Sequence, residues 1–320
     1  MSLTQELKEK VLHGDQITRE EALALYDAPL EELCAAANEI RIQFCGNRFD
    51  MCTIINGKSG RCSEDCKYCA QSACYRADVE EYPLLSAAEI VEGARTNDSQ
   101  GVLRYSIVTS GIRLSDKEID RMCETVRRIR KETGIRVCVS FGLLSEAQFR
   151  RLREAGAERV HNNLETSRRN FPHVCSTHTF DDKLAAIQAA KNAGLSVCSG
   201  GIVGMGETPE DRIDLALTLR GLGIRSVPVN MLNPIPGTPY ESLEPLTNDD
   251  MRRIVAIFRF LLPDAFIRLA GGRGLLPDKG RACFLSGANA AISGDMLTTS
   301  GIRVATDMSL LQEIGYEVRL

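Results

Sequence analysis

The stretch LRYSIVTSGIRLSDKEIDRMCETVRRIRKETGIRVCVSF, residues 103–141, decides the fold. It begins and ends with apolar, β-branched runs, over 103–109 and 135–141, that are typical of buried strands. Between these runs, residues 116–134 form an amphipathic segment that is typical of a helix. A strand, a helix and a second strand in this order predict two parallel neighbours in one sheet.

Strand-like and helix-like segments keep alternating on both sides of this unit. The further strand candidates are residues 51–55, 159–164, 195–203, 226–232, 265–271 and 287–293. Eight strands favour closure into a barrel over an open doubly wound sheet, and such a barrel takes roughly 250 residues. We therefore predict an α/β fold, a (β/α)8 TIM-type barrel over residues 46–320, with an N-terminal helical extension over residues 1–45.

The composition argues against several classes of protein. The chain has 320 residues and a net charge of -4, and no segment is strongly basic, which argues against a nucleic-acid partner. We find no apolar run long enough to span a bilayer and no signal peptide, so we expect a cytoplasmic protein without a membrane partner. Disulfides are rare in that compartment, so the 12 cysteines are expected to be buried thiols or metal ligands.

Three of these cysteines, Cys62, Cys66 and Cys69, have the spacing C-x3-C-x2-C. A structural zinc site usually has four protein ligands and paired C-x2-C units, and the chain has no second pair of that kind. Three thiolates suit a 4Fe–4S cluster with one open iron, which is a binding position for a substrate. The spacing favours the open cluster, and a zinc site completed from elsewhere in the chain is the alternative.

With Tyr68 before its last cysteine, the triplet resembles the motif of the radical S-adenosylmethionine superfamily. The resemblance implies that the open iron binds the amino and carboxylate groups of S-adenosylmethionine, and that reduction of the cluster releases a 5′-deoxyadenosyl radical. It also implies an external reductant, of the flavodoxin or ferredoxin type. The motif follows the first predicted strand, at the barrel mouth where such folds place their chemistry.

Motifs from about Leu30 to Thr299 are similar to those of the biotin synthase family. They are CSEDCKYCAQS (62–72), VCSGGIVGMGET (197–208), VPVNML (227–232), IRLAGGR (267–273) and CFLSGAN (283–289), followed by LTT (297–299). This resemblance implies a radical sulfurtransferase that inserts sulfur between two saturated carbons of dethiobiotin, in two rounds of hydrogen abstraction. A second, sacrificial Fe–S cluster in the barrel would supply the sulfur, and a homodimer is implied by the family alone.

Within this resemblance, Cys138, Cys198 and Arg268 match ligands of the auxiliary cluster, but Ser106 stands where the family has a third cysteine. Serine is a poor iron ligand beside thiolates. Cys52 occupies a nearby position where the family usually has serine. We therefore predict that Cys52, Cys138 and Cys198 hold the auxiliary cluster with Arg268 beside them.

A ligand on a different strand changes the geometry of the site. The usual 2Fe–2S cluster is then in doubt, and a 4Fe cluster with an extra sulfide is the expected replacement. The alternatives are that Cys52 is a buried thiol, which is common, and that Arg268 is a strand-end arginine paired with a surface carboxylate. Arg104 and Ser226 match positions around the arginine of the family and are expected to orient it.

The resemblance also implies contacts with both small molecules. For S-adenosylmethionine it implies Thr109 at the amino group, Asn163 and Glu165 at the ribose, Lys183 at the carboxylate, Ile202 at the adenine, and Tyr68 beside the cluster. For dethiobiotin it implies Asn163 and Asn230 at the ureido ring, because an amide both donates and accepts, and Thr298 and Thr299 at the carboxylate tail. Taken singly, each asparagine or threonine is more often a turn or cap residue.

Two other functions stay open. A related radical enzyme for another small substrate, such as a hydrogenase-maturation or pyrrolysine-pathway homologue, would share the triplet but would not need Cys138, Cys198 and Arg268 together. A non-catalytic Fe–S or zinc protein would leave the asparagines and threonines unexplained. Of the remaining residues, His161 is expected to be a strand residue near the cofactor and not a base.

Overall fold

The computed structural model describes the whole chain, residues 1–320. Three helices precede the first strand, as the sequence predicts, and the others lie between or after the strands. The helices are α1 (Leu3–Leu12), α2 (Arg19–Ala24), α3 (Leu30–Cys45), α4 (Ala87–Ser99), α5 (Asp116–Glu132), α6 (Glu146–Ala155), α7 (Phe171–Val174), α8 (Phe180–Asn192), α9 (Pro209–Gly221), α10 (Asn248–Leu261), α11 (Arg281–Leu285) and α12 (Val304–Glu313). None of them combines the length and the apolar composition needed to cross a membrane.

The strands form one parallel sheet that closes on itself. They are β1 (Arg48–Lys58), β2 (Arg104–Thr109), β3 (Arg136–Ser140), β4 (Arg159–His161), β5 (Ser196–Cys198), β6 (Gly201–Val203), β7 (Ser226–Met231), β8 (Phe266–Leu269), β9 (Ala290–Ser293) and β10 (Glu317–Val318). Their order is β5-β4-β3-β2-β1-β9-β8-β7-β6, with β10 pairing β1 outside this path. The strands β5 and β6 are the two halves of one interrupted strand. The closed sheet therefore has eight strands, and the predicted barrel is confirmed.

The interruption between β5 and β6 is where the structure departs from the predicted strand over 195–203. A Cβ on Gly200 would lie 1.9 Å from the carbonyl oxygen of Pro228, and one on Gly201 would lie 2.4 Å from that of Glu165. The backbone therefore passes too close to its neighbours for any other residue. The Gly200 N–H leaves the strand ladder and donates to Asn163 Oδ1 at 3.1 Å, which ties the segment after β4 to this point.

The helices of the barrel begin where their caps predict. Ser115 accepts from the backbone of Glu118, whose side chain in turn accepts from the Ser115 N–H, so the two form a capping box at the start of α5. The face of α5 turned to the sheet is buried through Ile119, Met122, Val126 and Ile129. Burying each of these side chains contributes roughly 1.5–3 kcal/mol, which fixes α5 against the strands.

The N-terminal helices cover one side of the barrel. Helix α3 packs against α10, and α1 packs against α3. Arg259 on α10 is fully buried. Its Nε and Nη2 donate to the carbonyl of Gly287 at 2.9 and 2.7 Å, which ties α10 to the segment before β9. The predicted division at residue 45 coincides with the end of α3, and its standing as a domain boundary stays a prediction.

Candidate active site

Two cavities follow one another inside the barrel. The outer cavity has a volume of about 360 Å³ and is lined by residues that follow the C-terminal ends of the strands. The inner cavity, of about 20 Å³, lies between the strands themselves. Three residues line both, and they are Ile54, His161 and Ile292. These three side chains form the neck through which the cavities communicate.

The outer cavity brings together the whole set of residues predicted for the first cluster, the cofactor and the substrate. The cluster set is Cys62, Cys66 and Cys69, and the two ligand sets are Tyr68, Thr109, Asn163, Glu165, Lys183 and Ile202, with Asn230, Thr298 and Thr299. These positions are far apart in the chain. The barrel gathers most of them because they follow or end a strand at the same rim, while Lys183 comes from α8 and Ile202 from the middle of β6.

The cysteine triplet lies on a loop that leaves β1 and is held by its own backbone. The Cys62 N–H donates to the carbonyl of Gln71 at 2.9 Å, and the Cys69 N–H donates to that of Cys66 at 2.9 Å. Burial raises the pKa of Cys69 to about 11. A hydrogen bond with Cys175, together with burial, raises the pKa of Cys66. Bound iron would offset this cost by stabilising the thiolates.

A polar network lies behind the triplet, on the loop after α7, and sequence reasoning assigned it no role. Cys175 Sγ lies 3.3 Å from His178 Nδ1 and 3.2 Å from Asp65 Oδ1. The same His178 nitrogen lies 2.7 Å from Glu64 Oε2. The hydrogen bond with Cys66 lowers the pKa of Cys175 to about 4, and His178 adds to that effect. The only signal in the sequence is the C-x2-H spacing of Cys175 and His178.

The predicted ribose contacts have free hydrogen-bonding capacity that faces a ligand. Glu165 is buried with a positive φ of 69°, and its Oε2 has no partner. Burial raises the pKa of Glu165, although Lys183 opposes this. Thr109 Oγ1 is also buried without a partner. Both residues line the outer cavity, so these two oxygens are available to a polar ligand that enters it.

Asn163 and Asn230 are held by backbone groups. Asn163 Oδ1 accepts from the Gly200 N–H at 3.1 Å and lies 3.0 Å from His161 Nε2. Asn230 donates to the carbonyl of Gly201 at 2.9 Å and accepts from the Gly271 N–H at 2.9 Å. Each amide keeps an unused N–H on the cavity side of these bonds.

The two threonines lie in the loop between β9 and α12, where Thr298 is exposed and Thr299 is half-buried. The carbonyl of Thr299 accepts from the Met296 N–H at 2.9 Å, which closes a turn. The loop is tied back to β1 by Asn56 Nδ2, which donates to the carbonyl of Leu297 at 2.9 Å. These contacts hold the loop in place, and both threonines line the outer cavity.

The inner cavity contains the three predicted thiols. Cys52, Cys138 and Cys198 all line it and are buried. Ser226 Oγ lies 3.2 Å from Cys198 Sγ. Ser106 lines the same cavity, and its Oγ has no partner. Burial raises the pKa of Cys52 and of Cys138, so a cationic partner would stabilise the thiolates of these two residues.

Arg268 joins the inner cavity and is 2% exposed. Its Nη1 donates to the carbonyls of Asp50 and Ala291, at 2.8 and 3.0 Å, and its Nη2 donates to Asp50 Oδ2 at 2.8 Å. The alternative of a strand-end arginine with a surface carboxylate is therefore wrong, because its partner Asp50 is fully buried. Burial lowers the pKa of Arg268, but Asp50 and the neighbouring thiols outweigh this and raise it.

Asp50 is the centre of an ion-pair cluster that the sequence analysis missed. It also accepts from Arg104 Nε at 3.2 Å and from Arg159 Nη1 at 3.1 Å. Three guanidinium groups against one carboxylate leave an excess of positive charge around the thiols. Side-chain parity could have indicated both missed residues, since Asp50 shares a strand face with Cys52, and Arg159 shares one with His161.

His161 stands in the neck in its neutral form. Burial lowers its pKa to about 4. Because Asn163 Oδ1 already accepts from a backbone N–H, the ring nitrogen facing it, Nε2, is the donor, and Nδ1 keeps its lone pair. The structure places His161 at the end of β4, between the two cavities, and its expected lack of a role as a base stays a prediction.

The chain is similar to known proteins over its full length. Residues 58–219 match the Radical SAM superfamily, and residues 228–317 match the Biotin and Thiamin Synthesis associated domain. The biotin synthase of Akkermansia muciniphila is 59% identical over 320 residues, covering 100% of both chains. That of Brachyspira hyodysenteriae is 60% identical over 315 residues, covering 98% of this chain and 95% of the relative.

Solved structures show the same fold at low identity. A methylornithine synthase superimposes with a TM-score of 0.85 at 22% identity, covering 98% of this chain and 97% of that one. A maturase of the [FeFe]-hydrogenase, HydG, superimposes with a TM-score of 0.82 at 19% identity, covering 98% of this chain and 74% of that one. These two support the barrel architecture and nothing finer.

Proposed function

Because the chain belongs to the biotin synthase family, within the radical S-adenosylmethionine superfamily, we propose that it inserts sulfur into dethiobiotin from an auxiliary Fe–S cluster held in the inner cavity. The observation that carries the proposal is the inner cavity itself. It combines three buried thiols with three arginines, and it meets the outer cavity at a neck of three side chains.

The residues of the outer cavity fit the first cluster and its cofactor. Cys62, Cys66 and Cys69 would hold the 4Fe–4S cluster, and the unpaired oxygens of Glu165 and Thr109 would receive the ribose and the amino group of S-adenosylmethionine. Lys183 would face the carboxylate and Ile202 the adenine, with Tyr68 beside the cluster. When bound, the cluster and S-adenosylmethionine supply a carbon radical that removes hydrogen from a saturated carbon.

The chain's own residues orient the substrate across the neck. Asn163 and Asn230 would use their remaining N–H groups for the ureido oxygen of dethiobiotin. The hydroxyls of Thr298 and Thr299 would donate to its carboxylate. A molecule held at both ends in this way presents its alkyl middle to the neck, and the apolar side chains of Ile54 and Ile292 keep water out of that region.

The inner cavity fits an anionic cluster. Cys52, Cys138 and Cys198 would supply thiolates, and Arg268 would contribute charge and hydrogen bonds beside them. Arg104 and Arg159 share Asp50 with Arg268, so the group has a surplus of positive charge. This surplus offsets the negative charge of the thiolates. With Cys52 as ligand in place of a cysteine at position 106, we propose a 4Fe cluster with an extra sulfide instead of 2Fe–2S.

Further parts of the proposal rest on the family and on composition. We propose a homodimer in the cytoplasm, reduced by a flavodoxin or a ferredoxin. An anaerobic assay with dethiobiotin, dithionite and S-adenosylmethionine tests the reaction. Biotin is the expected product. Methionine and 5′-deoxyadenosine without biotin would instead indicate a related radical enzyme, and neither product would indicate a non-catalytic Fe–S or zinc protein.

The ligand role of Cys52 has its own experiment. Iron and sulfide per chain, with Mössbauer spectra recorded anaerobically, are compared between the wild type, Cys52→Ala and the control Cys123→Ala, which removes a buried thiol from α5. We expect Cys52→Ala alone to lose the auxiliary iron and biotin formation, while 5′-deoxyadenosine still forms. Unchanged auxiliary iron with full sulfur transfer would remove Cys52 from the site.

A further inference from the structure

A second group of metal-binding atoms lies behind the cysteine loop. The Sγ atoms of Cys66 and Cys175 and an imidazole nitrogen of His178 all lie within 4.8 Å of one another. Cys175 and His178 are buried, and Cys66 is half-buried. Two thiolates and one imidazole suit a borderline-soft divalent cation such as Zn²⁺, and three protein ligands with an open position are a common zinc arrangement.

The geometry argues against a nucleophile in this group. In a catalytic relay, the nucleophile and the carboxylate bond to opposite nitrogens of the imidazole. Here Cys175 Sγ and Glu64 Oε2 approach the same atom, His178 Nδ1, at 3.3 and 2.7 Å. This arrangement is not a relay, and it leaves the Sγ atoms of Cys66 and Cys175 and a ring nitrogen of His178 close enough together to share one ion.

The proposed ligand side chains are held in place by neighbouring groups. Asp65 Oδ1 accepts from the Ser176 N–H at 2.8 Å and lies 3.2 Å from Cys175 Sγ, which fixes this loop against the segment that carries Cys66. The ring of His178 packs edge-on against Phe171, with centroids 5.6 Å apart. Hydrogen-bonded, packed ligands of this kind lose little freedom when a metal binds.

We propose that the cluster-free chain binds one Zn²⁺-class divalent cation through Cys66, Cys175 and His178. Binding releases the thiol proton of Cys66 and any proton on the ligating imidazole nitrogen to solvent. Because Cys66 would be a ligand in both sites, we expect this cation and the 4Fe–4S cluster to exclude one another. That exclusion, but not the binding itself, rests on the proposed role of Cys66 in the cluster.

Cobalt titration of the metal-free chain tests the binding, since Co²⁺ reports thiolate ligands by its absorption. The wild type is expected to bind one Co²⁺ per chain with sulfur-to-cobalt charge-transfer bands and tetrahedral d–d bands, which Zn²⁺ abolishes. Cys175→Ala and His178→Ala are expected to bind at least tenfold more weakly. Cys62→Ala and Cys69→Ala are the matched controls, expected to keep the bands, and circular dichroism checks that every variant is folded.

Bands that survive in Cys175→Ala and His178→Ala but disappear in Cys62→Ala or Cys69→Ala would overturn the site, because the ion would then lie in the triplet. Exclusion is tested by adding one equivalent of Zn²⁺ per chain before iron and sulfide. Cluster formation is expected to be delayed in the wild type and not in Cys175→Ala. Equal delay in both would also overturn the site. If cobalt binds as expected but Zn²⁺ delays cluster formation in neither the wild type nor Cys175→Ala, Cys66 is not a ligand of both metals. The proposed role of Cys66 in the cluster then fails, while the cation site stands.

Discussion

Cys52 and Ser106 lie on neighbouring strands but not opposite each other. Cys52 pairs with Arg104, while Ser106 pairs with Ile54, two residues further toward the C-terminal end of β1. Two residues span roughly 6.6 Å along a strand. A thiolate supplied by Cys52 is therefore deeper in the barrel than one at position 106 would be, as well as one strand further round. With Cys52 as a ligand, the proposed auxiliary site would be displaced toward Asp50 and its arginines.

Moving the thiol back to β2 tests this displacement. We expect Cys52→Ser to lose auxiliary iron, and the double variant Cys52→Ser with Ser106→Cys to regain part of it with a Mössbauer spectrum unlike that of the wild type. Ser106→Cys alone is the matched control for the added thiol. A double variant with wild-type iron content and a wild-type spectrum would show that the cluster does not depend on which strand supplies the ligand.

Removing the Asp50 carboxylate is expected to destabilise the protein strongly. Asp50→Asn leaves the buried guanidinium groups of Arg104 and Arg268 and the half-buried one of Arg159 without their anion, which costs about 3–5 kcal/mol in the free energy of unfolding. Denaturant melts of this variant are compared with those of Asp264→Asn, whose partner Arg225 is largely exposed and which should change little. Equal effects of the two substitutions would contradict a special role for Asp50.

The Asp50 carboxylate is also expected to make a contribution to folding stability that is lost in acid. Burial opposes ionisation, but Arg268, Arg104 and Arg159 outweigh it and lower the pKa of Asp50 below its unfolded value of about 3.9. Its stabilising effect is therefore complete above about pH 4 and is lost as the pH falls through the lower folded value. Melts at pH 6 and about pH 3 should show a larger acid loss for the wild type than for Asp50→Asn.

His161 predicts a pH dependence in a different range. Burial lowers its pKa to about 4 in the folded chain, against roughly 6.5 when unfolded. The unfolded chain then binds the extra proton first, so stability falls as the pH drops from about 6.5 to about 4, by about 1–3 kcal/mol. His161→Asn has no titrating group there and should lose less stability over this interval. Parallel curves for the two proteins between pH 7 and pH 4.5 would contradict the burial argument.

The threonines of the β9–α12 loop predict an effect on substrate binding alone. Thr299→Val removes a hydroxyl proposed to bind the carboxylate of dethiobiotin, and we expect KM for dethiobiotin to rise roughly tenfold, since a hydrogen bond to a charged group contributes about 1.5–3 kcal/mol. Formation of 5′-deoxyadenosine at saturating substrate should be unchanged. Ser300→Ala, an exposed neighbour, is the control. A fall in the maximal rate without a change in KM would assign Thr299 to another step.

The fold could be predicted because its signals are local. Each of the eight strand segments has a run of apolar or β-branched residues, and the capping box at Ser115 and Glu118 marks the start of α5. The break at Gly200 is not a local signal, since it depends on how close the carbonyls of Pro228 and Glu165 come. The strand over 195–203 was therefore predicted as continuous, although it is two strands.

The candidate site shows the same division. The triplet and the three thiols of the inner cavity could be selected from spacing, parity and resemblance. Parity could also have indicated Asp50 and Arg159, but their ion pairs could not be predicted, because these depend on four strands bringing one carboxylate to three guanidinium groups. The Cys66, Cys175 and His178 group depends on a contact between segments more than 100 residues apart in the chain. Contacts between residues this far apart in the chain leave no pattern in the sequence around either residue.

The neck formed by Ile54, His161 and Ile292 has a kinetic consequence for the proposed function. These three residues line both cavities. If the sulfur source lies in the inner cavity as we propose, iron and sulfide would reach it through the chamber proposed to hold the substrate. We then expect the product to leave before the sulfur source is restored, which would make product release the event that separates one productive cycle from the next.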